Sequence, residues 1–550
     1  MTQTGPGAGE KGIVGGAAHG GPWFREEVIE LRKWLPLLAV CLGTFMLLID
    51  VTIVNVALPQ MAAGLHTSFS ALQWVVDAYA LALAALVLGA GSLGDLTGHR
   101  NTYIGGLALF AASSLVCGLA PNAGLLIAAR IVQGAGAAAM FATTVALLSS
   151  SYSGRDRGTA FGMWGATAGA SAAVGPIIGG FLTQLVNWRW IFFVNLPVSA
   201  AAIALCLRVL TDAPRTGRVK VDLAGMALFT AAAAELTYAM IRANDRGWVS
   251  ASTLNMVAAA GLLLIGFVMV ENRSAQPLFA MSLLRNKAFV GVLVASVAMN
   301  FAAFAGLTYS SIWLQSVLGL TPIQAGFTGL PLSLATFGTS ALLGRKLHHA
   351  PPGLVIGIGL LLIGLGGLVS ALFVHGGASW PALLPGYAFI GVGVGLAIPI
   401  SNAAAMDCVT PDRRGMASGS VRTMQQLGYA FGIALLGTVF AARARHVVAG
   451  DGLSDVAGVA HAVAGGQSPA LLDGATLDRR AALDHTVHAA AVSGLQSVLI
   501  VSGILGIVAG LAVLVLMRAA PAPVHAAMSS APGPPPVPVR APDGPVLIKL

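Results

Sequence analysis

The chain alternates between long apolar stretches and short polar breaks along most of its length. Each stretch holds roughly 20 mostly apolar residues, the length that an α-helix needs to cross a bilayer, and the breaks carry Gly, Pro or charge. The pattern therefore predicts fourteen membrane helices between Trp34 and Arg518. Their predicted starts lie near Trp34, Leu72, Thr102, Gly124, Gly158, Trp190, Val221, Thr253, Phe289, Thr321, Gly353, Trp380, Gly415 and Val492.

Composition supports a membrane environment. Hydrophobic residues fill 56% of the 550 positions, charged residues fill only 9%, and the mean hydropathy is +0.81. An ordinary soluble domain is about 25% charged. Residues 1–33 hold no apolar core followed by a small-residue cleavage site, so no removable signal peptide is expected. Frequent Ala and Gly are typical of a GC-rich bacterial genome, and we expect a multi-pass protein of a bacterial inner (plasma) membrane.

Basic residues predict the orientation. With the N-terminus in the cytoplasm, the inner segments hold 21 Lys and Arg and the outer segments 7, while two fall inside helices. Short cytoplasmic loops are enriched in Lys and Arg, so both termini are expected to be cytoplasmic. The net charge of +9 is explained by these loops and by anionic membrane lipid. No nucleic-acid partner is implied.

A short repeat suggests how the helices are grouped. The strings GRDRGTAFG (154–162) and PDRRGMASG (411–419) share R-G-x-A-x-G and precede the fifth and thirteenth predicted helices. If helices seven and eight are an insertion, the other twelve form two parallel six-helix repeats, as in some transporters. The predicted segments are an N-terminal cytoplasmic segment 1–33, a six-helix bundle 34–210, an inserted two-helix linker 211–288, a second six-helix bundle 289–518 with a flexible external loop 447–490, and a disordered cytoplasmic tail 519–550.

Two opposite charges are predicted at the same membrane depth. Asp50 lies about 24 Å along an outward-running helix from Trp34, and Arg130 lies about 9 Å below the outer face on an inward-running helix, at about 1.5 Å per residue. An unpaired charge at the helix centre costs about 2.5 to 3.5 kcal/mol on insertion scales, so such residues mark pathways. The pair either fixes helix packing or couples to protons, because a changing distance to the cation and changing exposure shift a carboxylate between its charge states.

Other polar residues in apolar stretches are further candidates. Asp77, near the outer end of helix two, is either a second proton carrier or a solvated residue at the mouth. Glu235 in helix seven is a carrier only if the inserted pair takes part in transport; otherwise it contacts lipid or a partner. Candidate substrate-pathway residues are Asn55, Gln133, Arg422, Gln425 and Gln426, and for Arg422 helix-to-helix bonding is the alternative.

Several motifs resemble the major facilitator superfamily, in its fourteen-helix drug:proton antiporter branch. They are GAGSLGDLTGHRN (89–101), LIAARIVQGAGAA (126–138), GPIIGG (175–180), IDVTIVNVALP (49–59) and NWRWIFFVNLP (187–197). The resemblance implies two rocking bundles and a cytoplasmic latch for the outward-open state. Leu96 and His99 stand where the family usually has basic residues, and Ser171 replaces a glycine. The predicted gating residues are Gly91, Asp95, Gly98, Arg100, Gly175, Pro176, Gly179 and Gly180.

Other chemistries are poorly supported. The chain contains no Gly-Lys dipeptide, so no Walker-type phosphate loop is present. Four cysteines lie in apolar stretches without a CxxC pair, and adjacent His348 and His349 cannot face one site on a helix. We expect no enzyme activity, no metal and no cofactor beyond the proton gradient. The sequence predicts a monomeric antiporter that exchanges protons for small amphipathic, preferably cationic compounds; a membrane sensor or scaffold and a proton symporter are the alternatives.

Overall fold

A computed structural model describes residues 32–211, 222–274, 277, 279, 281–343, 350–409, 414–451 and 455–518, and these residues form helices with no β-strand. The predicted cytoplasmic tail, most of the N-terminal segment, and His348 and His349 lie outside them. The main helices are α1 Leu35–Leu65, α2 Phe69–Thr97, α3 His99–Leu119, α4 Ala123–Ser151, α5 Gly154–Leu185, α6 Trp190–Val209, α7 Leu223–Arg246, α8 Ala251–Arg273, α9 Lys287–Val317, α10 in two pieces (Pro322–Thr328 and Leu330–Leu343), α11 Pro352–Phe373, α12 Trp380–Asp407, α13 Arg414–Gly450, α14 Val456–Ala464, α15 Ser468–Asp473 and α16 Leu477–Met517.

The structure confirms that the chain consists largely of helices long and apolar enough to span a membrane. Within the described ranges, 11 helices are long and apolar enough to cross a bilayer. The helices α2 and α5 carry shorter apolar segments, Ala71–Val87 and Val174–Leu185, and α10 is interrupted between its two pieces. The count of fourteen therefore stays a prediction. Below, the inner end of a helix is the one that the basic residues predict to face the cytoplasm.

Local sequence sets several helix boundaries. Ser68 accepts a hydrogen bond from Ala71 N at the start of α2, and Asn122 accepts one from Leu125 N at the start of α4, satisfying backbone donors that have no partner within the helix. Thr321 and Gln324 form a reciprocal capping box at α10. Gly98 joins α2 to α3 with φ of 96°, a conformation that residues with a Cβ rarely adopt.

Packing divides most of the spanning helices into two halves. In the N-terminal half α1 packs on α5 and α4 packs on both α2 and α3; in the C-terminal half α11 packs on both α12 and α16, and α13 also packs on α16. Small residues allow these contacts: a Cβ added at Gly134 would lie 2.6 Å from the Tyr79 carbonyl oxygen, and one at Gly364 would lie 2.6 Å from the Gly503 carbonyl oxygen. The arrangement agrees with the expected two bundles.

The two halves meet along a seam formed by α2 against α13 and by α5 against α10. Polar contacts close the outer part of this seam. Gln60 of α1 donates to Gln315 of α9 at 3.0 Å, and Gln315 donates to the Val56 carbonyl oxygen at 2.8 Å. On the other side Gln73 of α2 donates to the Ile433 carbonyl oxygen of α13 at 3.2 Å.

The segment 447–490 differs from the expected flexible loop. The helix α13 continues to Gly450, α14 and α15 follow, and α16 already begins at Leu477 rather than near Val492. Gly466, between α14 and α15, accepts a hydrogen bond from Ser316 of α9 at 2.8 Å, while Gln467 donates to the Thr67 carbonyl oxygen at 2.9 Å. Val459, Ala460, Val463 and Ala464 of α14 are buried, and the described residues of the segment form an outer cap that contacts both halves.

The inserted pair α7 and α8 is not wholly peripheral. The helix α7 packs against α2 and α13, which belong to different halves. The rings of Trp74 and Tyr238 lie 6.2 Å apart, and Thr438 of α13 donates to the Met240 carbonyl oxygen at 3.4 Å. In contrast, α8 leaves large apolar side chains such as Leu262 and Ile265 exposed, as expected of a lipid-facing helix.

Candidate functional site

Asp50 and Arg130 lie in direct contact, as their predicted depths suggested. Arg130 Nη1 of α4 donates to Asp50 Oδ2 of α1 at 2.5 Å, and both side chains are at most 1% exposed. Gln133, one turn further along α4, donates from Nε2 to Asp50 Oδ1 at 3.0 Å and accepts from Arg130 at 2.7 Å. The carboxylate is therefore neutralised and hydrogen-bonded at both oxygens, which offsets much of the cost of burying it.

Two further residues complete this cluster, and the sequence reading did not select them. Asn195 of α6 donates to Asp50 Oδ1 at 3.3 Å and to Ser114 Oγ at 3.1 Å, while Gln133 donates to Ser114 Oγ at 2.7 Å. Asn195 lies within the string NWRWIFFVNLP, where an amide in an apolar stretch was the available signal. The Asp50 cluster thus joins four helices of the N-terminal half: α1, α3, α4 and α6.

Aromatic rings enclose the cation of this cluster. The Arg130 guanidinium lies 4.2 Å from the centroid of the Tyr79 ring and 6.0 Å from that of Phe192, and its Nε donates to the Val75 carbonyl oxygen at 3.0 Å. Arg130 also borders a narrow cavity between the halves, which leaves no room for a water-sized sphere. The cavity is lined by Val51, Val76, Tyr79, Ala80, Arg130, Gln426 and Tyr429.

Asp77 differs from Asp50 in its surroundings. Its side chain is fully buried, and neither carboxylate oxygen has a hydrogen-bond partner in the part of the chain that the structure describes. The expectation of a solvated residue at the mouth is therefore wrong, since α13 and α9 cover α2 at this level, where Gln73 bonds to Ile433 and Tyr309. A buried carboxyl without a donor is much cheaper to hold neutral than ionised.

Asn55 lies where the two halves touch. Its Nδ2 donates to the Tyr429 hydroxyl of α13 at 3.0 Å, and its Oδ1 accepts from Thr308 of α9 at 3.0 Å. All three side chains are buried. The structure thus places Asn55 in a bond between the halves, next to the cavity that Tyr429 lines.

Arg422 lies one helical turn towards the inner end from Gln426, on the same face of α13. Its guanidinium lies 5.1 Å from the ring centroid of Phe141 and 6.0 Å from that of Trp164, both in the N-terminal half. Its Nη1 donates to Gln425 Oε1 at 2.9 Å. No carboxylate lies within 4.0 Å of it in the described ranges.

Glu235 is not part of either cluster. It is half-buried on α7, and the described residues offer it neither a hydrogen bond nor an ion pair. The structure therefore does not bring Glu235 together with Asp50 or Arg130.

The predicted gating residues divide into a loop group and a helix group. In the loop, Arg100 donates to the Leu207 carbonyl oxygen at 2.9 Å, so it holds the inner end of α6. A Cβ added at Gly91 would meet no described atom within 4 Å. The side chain of Asp95 lies outside the described part of the structure, so its predicted pairing stays a prediction.

The helix group lies in tight contacts of α5. A Cβ added at Gly175 would overlap Thr52 of α1, and one at Gly179 would lie 2.7 Å from Ile53. A Cβ at Gly180 would lie 2.6 Å from the Pro322 carbonyl oxygen of α10, across the seam. Gly326 of α10 likewise approaches the Pro176 carbonyl oxygen, at 2.5 Å from an added Cβ.

Comparison with known proteins agrees with this architecture. The sequence profile of the Major Facilitator Superfamily matches residues 40–433. The chain is 36% identical to the multidrug resistance protein Stp of Mycobacterium tuberculosis over 74% of its length and 76% of that protein. It is 33% identical to the tetracenomycin C resistance and export protein of Streptomyces glaucescens, over 89% and 93% of the two chains.

Solved structures share the fold at lower identity. A bacterial homologue of the human lysosomal transporter Spinster, in an inward-facing conformation, matches with a TM-score of 0.62 at 16% identity, covering 88% of this chain and 97% of that one. A peptide transporter in complex with sulfate matches with a TM-score of 0.58 at 16% identity, covering 88% and 96%. At such identities the likeness supports the fold alone.

Proposed function

Because the chain belongs to the major facilitator superfamily, we propose that it is a proton-coupled antiporter that exports small amphipathic compounds by alternating access. The chain is a multi-pass membrane transporter, not an enzyme, and its relatives include drug-resistance and export proteins. The finer assignment, coupling to protons, is supported chiefly by one observation: the fully buried Asp50 carboxylate paired with Arg130.

The Asp50 cluster is suited to reversible protonation. In the described arrangement Asp50 accepts hydrogen bonds from Arg130, Gln133 and Asn195. A shift of α1 relative to α4 within the N-terminal half, coupled to the rocking of the two halves, would remove these donors and leave a desolvated carboxylate, which binds a proton more readily. Each proton that enters down the membrane potential supplies about 2.3 kcal/mol per 100 mV, which can drive export.

Asp77 is the second carrier in this proposal. It lies on the α2 face that meets the C-terminal half, without a donor in the described residues, so this conformation favours a neutral acid. Opening of the outer seam would expose it to water, where it can exchange its proton. The two acids therefore differ in the same conformation: three side chains donate to Asp50, and none of the described residues donates to Asp77.

The contacts argue against direct competition of cationic cargo for Asp50. Its two oxygens already accept from three side chains, and the neighbouring cavity leaves no room for a water-sized sphere, whereas typical ligand sites hold roughly 300 to 1,000 Å³. Cargo must therefore bind in a more open conformation. Proton binding and cargo binding can be coupled through the conformational change, without a residue that contacts both.

Reconstitution in vesicles with an imposed pH gradient tests the proposal. We expect the native chain to move amphipathic compounds outward against their gradient, and Asp50→Asn to abolish gradient-driven flux. Asp473→Asn, an exposed carboxylate of the outer cap, is the matched control and should retain flux. Uphill flux that survives Asp50→Asn with its pH profile intact overturns the proposal.

The same vesicles separate the alternatives. A sensor or scaffold would bind ligand without any flux in the native chain. A symporter would accumulate ligand in the direction of proton movement instead of against it. Both outcomes differ from antiport in the sign or presence of flux, so one assay distinguishes all three.

A further inference from the structure

We propose that Arg422, Phe141 and Trp164 form a binding site for the planar aromatic part and the acidic group of an organic anion. This cargo assignment rests on the proposed export function and adds the charge and shape of the substrate. The three side chains are called the Arg422 box below.

Charge balance carries the first step. Arg130 lines the cavity, and Arg422 lies one helical turn from Gln426 of that lining. Asp50 neutralises Arg130. Arg422 has no carboxylate within 4.0 Å in the described part of the chain, only the neutral amide of Gln425. A cation at membrane depth is costly without a counter-charge, so an anionic ligand group would provide the missing partner.

The rings carry the second step. Phe141 and Trp164 face the Arg422 guanidinium at 5.1 Å and 6.0 Å from their centroids. Aromatic faces next to a planar guanidinium suit a flat ring that bears a carboxylate or phenolate. The ligand ring stacks on the aromatic side chains, while its acidic group accepts hydrogen bonds from the guanidinium N–H groups. A flat cation would instead be repelled by Arg422.

Hydrogen bonds fix the position of Trp164 and of the helix α13 at the Arg422 box. Trp164 Nε1 donates to Thr44 Oγ1 of α1 at 2.9 Å, which fixes the indole ring. Thr423, next to Arg422, donates to the Ala84 carbonyl oxygen of α2 at 2.8 Å, so α13 is anchored at this level. Gln426, one turn away on the same face, lines the cavity. Arg422 therefore lies one helical turn from the cavity lining, and the cation and the rings of the box come from opposite halves.

Equilibrium binding to the purified full chain tests this assignment. The probes are anthracene-9-carboxylate, its uncharged carboxamide, and the flat cation ethidium. We expect the native protein to prefer the acid, and Arg422→Gln to weaken binding of the acid about tenfold or more, as for loss of a charge-assisted pair, with less than about twofold change for the amide. Trp164→Leu should weaken acid and amide alike, because it removes the stacking face and keeps the charge.

Controls separate a binding role from a structural one. Arg443→Gln removes the same charge from an exposed position of α13, where Arg443 bonds to Ser493, and should leave all three affinities unchanged. Arg422→Lys keeps the charge and should retain preference for the acid even if Arg422→Gln melts early. Equal affinity of the native chain for acid and amide, preference for ethidium, no binding of any probe, or equal weakening of all probes by Arg422→Gln overturns the assignment.

Binding in detergent requires no proton gradient, so this test fails independently of the export proposal. Selective binding of the acid together with flux that ignores Asp50→Asn would refute proton coupling and retain the box. Proton-coupled flux of compounds whose binding is unaffected by Arg422→Gln would refute the Arg422 box and retain proton coupling.

Discussion

Asn55 of α1 and Tyr429 of α13 meet between the two halves, and each can donate to the other, at 3.0 Å and 3.3 Å. Thr308 of α9 donates to the same amide. All three side chains are buried in the seam, so loss of one bond leaves a buried polar group unpaired. Its strength therefore bears on how long the outer side stays closed.

Removal of the Tyr429 hydroxyl should open the outer seam more often. A buried hydrogen bond contributes about 0.5 to 1.5 kcal/mol net, so Tyr429→Phe is expected to raise the outward-open population about fivefold. Spin labels at the exposed positions Leu185 and Phe327, after replacement of the native cysteines, report the distance across the seam. Tyr387→Phe, in which the hydroxyl lost lies inside the C-terminal half, is the control and should leave the distance distribution unchanged.

Breaking the Asp50 pair from either side should destabilise the protein, and removing both charges should cost less. Arg130→Gln or Asp50→Asn alone leaves one buried charge uncompensated, which costs about 3 to 5 kcal/mol. We expect the double variant to melt at a higher temperature than Asp50→Asn. Thermal unfolding in detergent over the full cycle of four proteins measures this, and strictly additive losses would show that the two groups do not interact.

Asp77→Asn should leave the stability of the protein unchanged or higher but impair proton-driven export. Since Asp77 has no donor among the described residues, the substitution breaks no hydrogen bond with them, and the melting temperature should stay the same or rise. Proton-driven export should nevertheless fall severalfold, with a weaker dependence on external pH. A strong loss of stability, or unchanged proton flux per exported molecule, would contradict the role of Asp77 as a carrier.

Gly180 should tolerate no side chain. A Cβ there would press on the backbone of Pro322 and Ile323, and overpacking of this kind costs about 1 to 3 kcal/mol. Gly180→Ala should therefore disfavour the closed outer seam and slow export, as labels at Leu185 and Phe327 would report. Gly165→Ala, on the same helix with no described atom within 4 Å of its Cβ, should be neutral or slightly stabilising, because Ala favours helix more than Gly does.

The charged pair was predictable from sequence, whereas its neighbours Asn195 and Ser114 were not. An Asp and an Arg in apolar stretches are rare enough to be conspicuous, and helix rise alone placed Asp50 and Arg130 at comparable depth. Asn195 and Ser114 are ordinary polar residues whose contact depends on how α3 and α6 pack. Residue spacing within a single helix carries no such information.

Two other differences between the sequence prediction and the structure also arise from packing between helices. Depth along α2 placed Asp77 near water, but the covering helices α9 and α13 are remote in sequence, and burial follows from tertiary packing. In the segment 447–490, small residues and scattered charges suggested a flexible loop; their short helices are stabilised by contacts with Ser316 and Thr67. The helical bundles could be read from local composition, while the contacts between them could not.

The length of the last helix has a mechanical consequence. The helix α16 runs unbroken for 41 residues, about 61 Å at 1.5 Å per residue, roughly twice the hydrocarbon thickness of a bilayer. It packs along α13, and Arg443 and Thr486 tie the two together near their outer ends. The pair acts as a lever, so a small tilt of the C-terminal half within the membrane becomes a displacement of several ångströms at the outer cap.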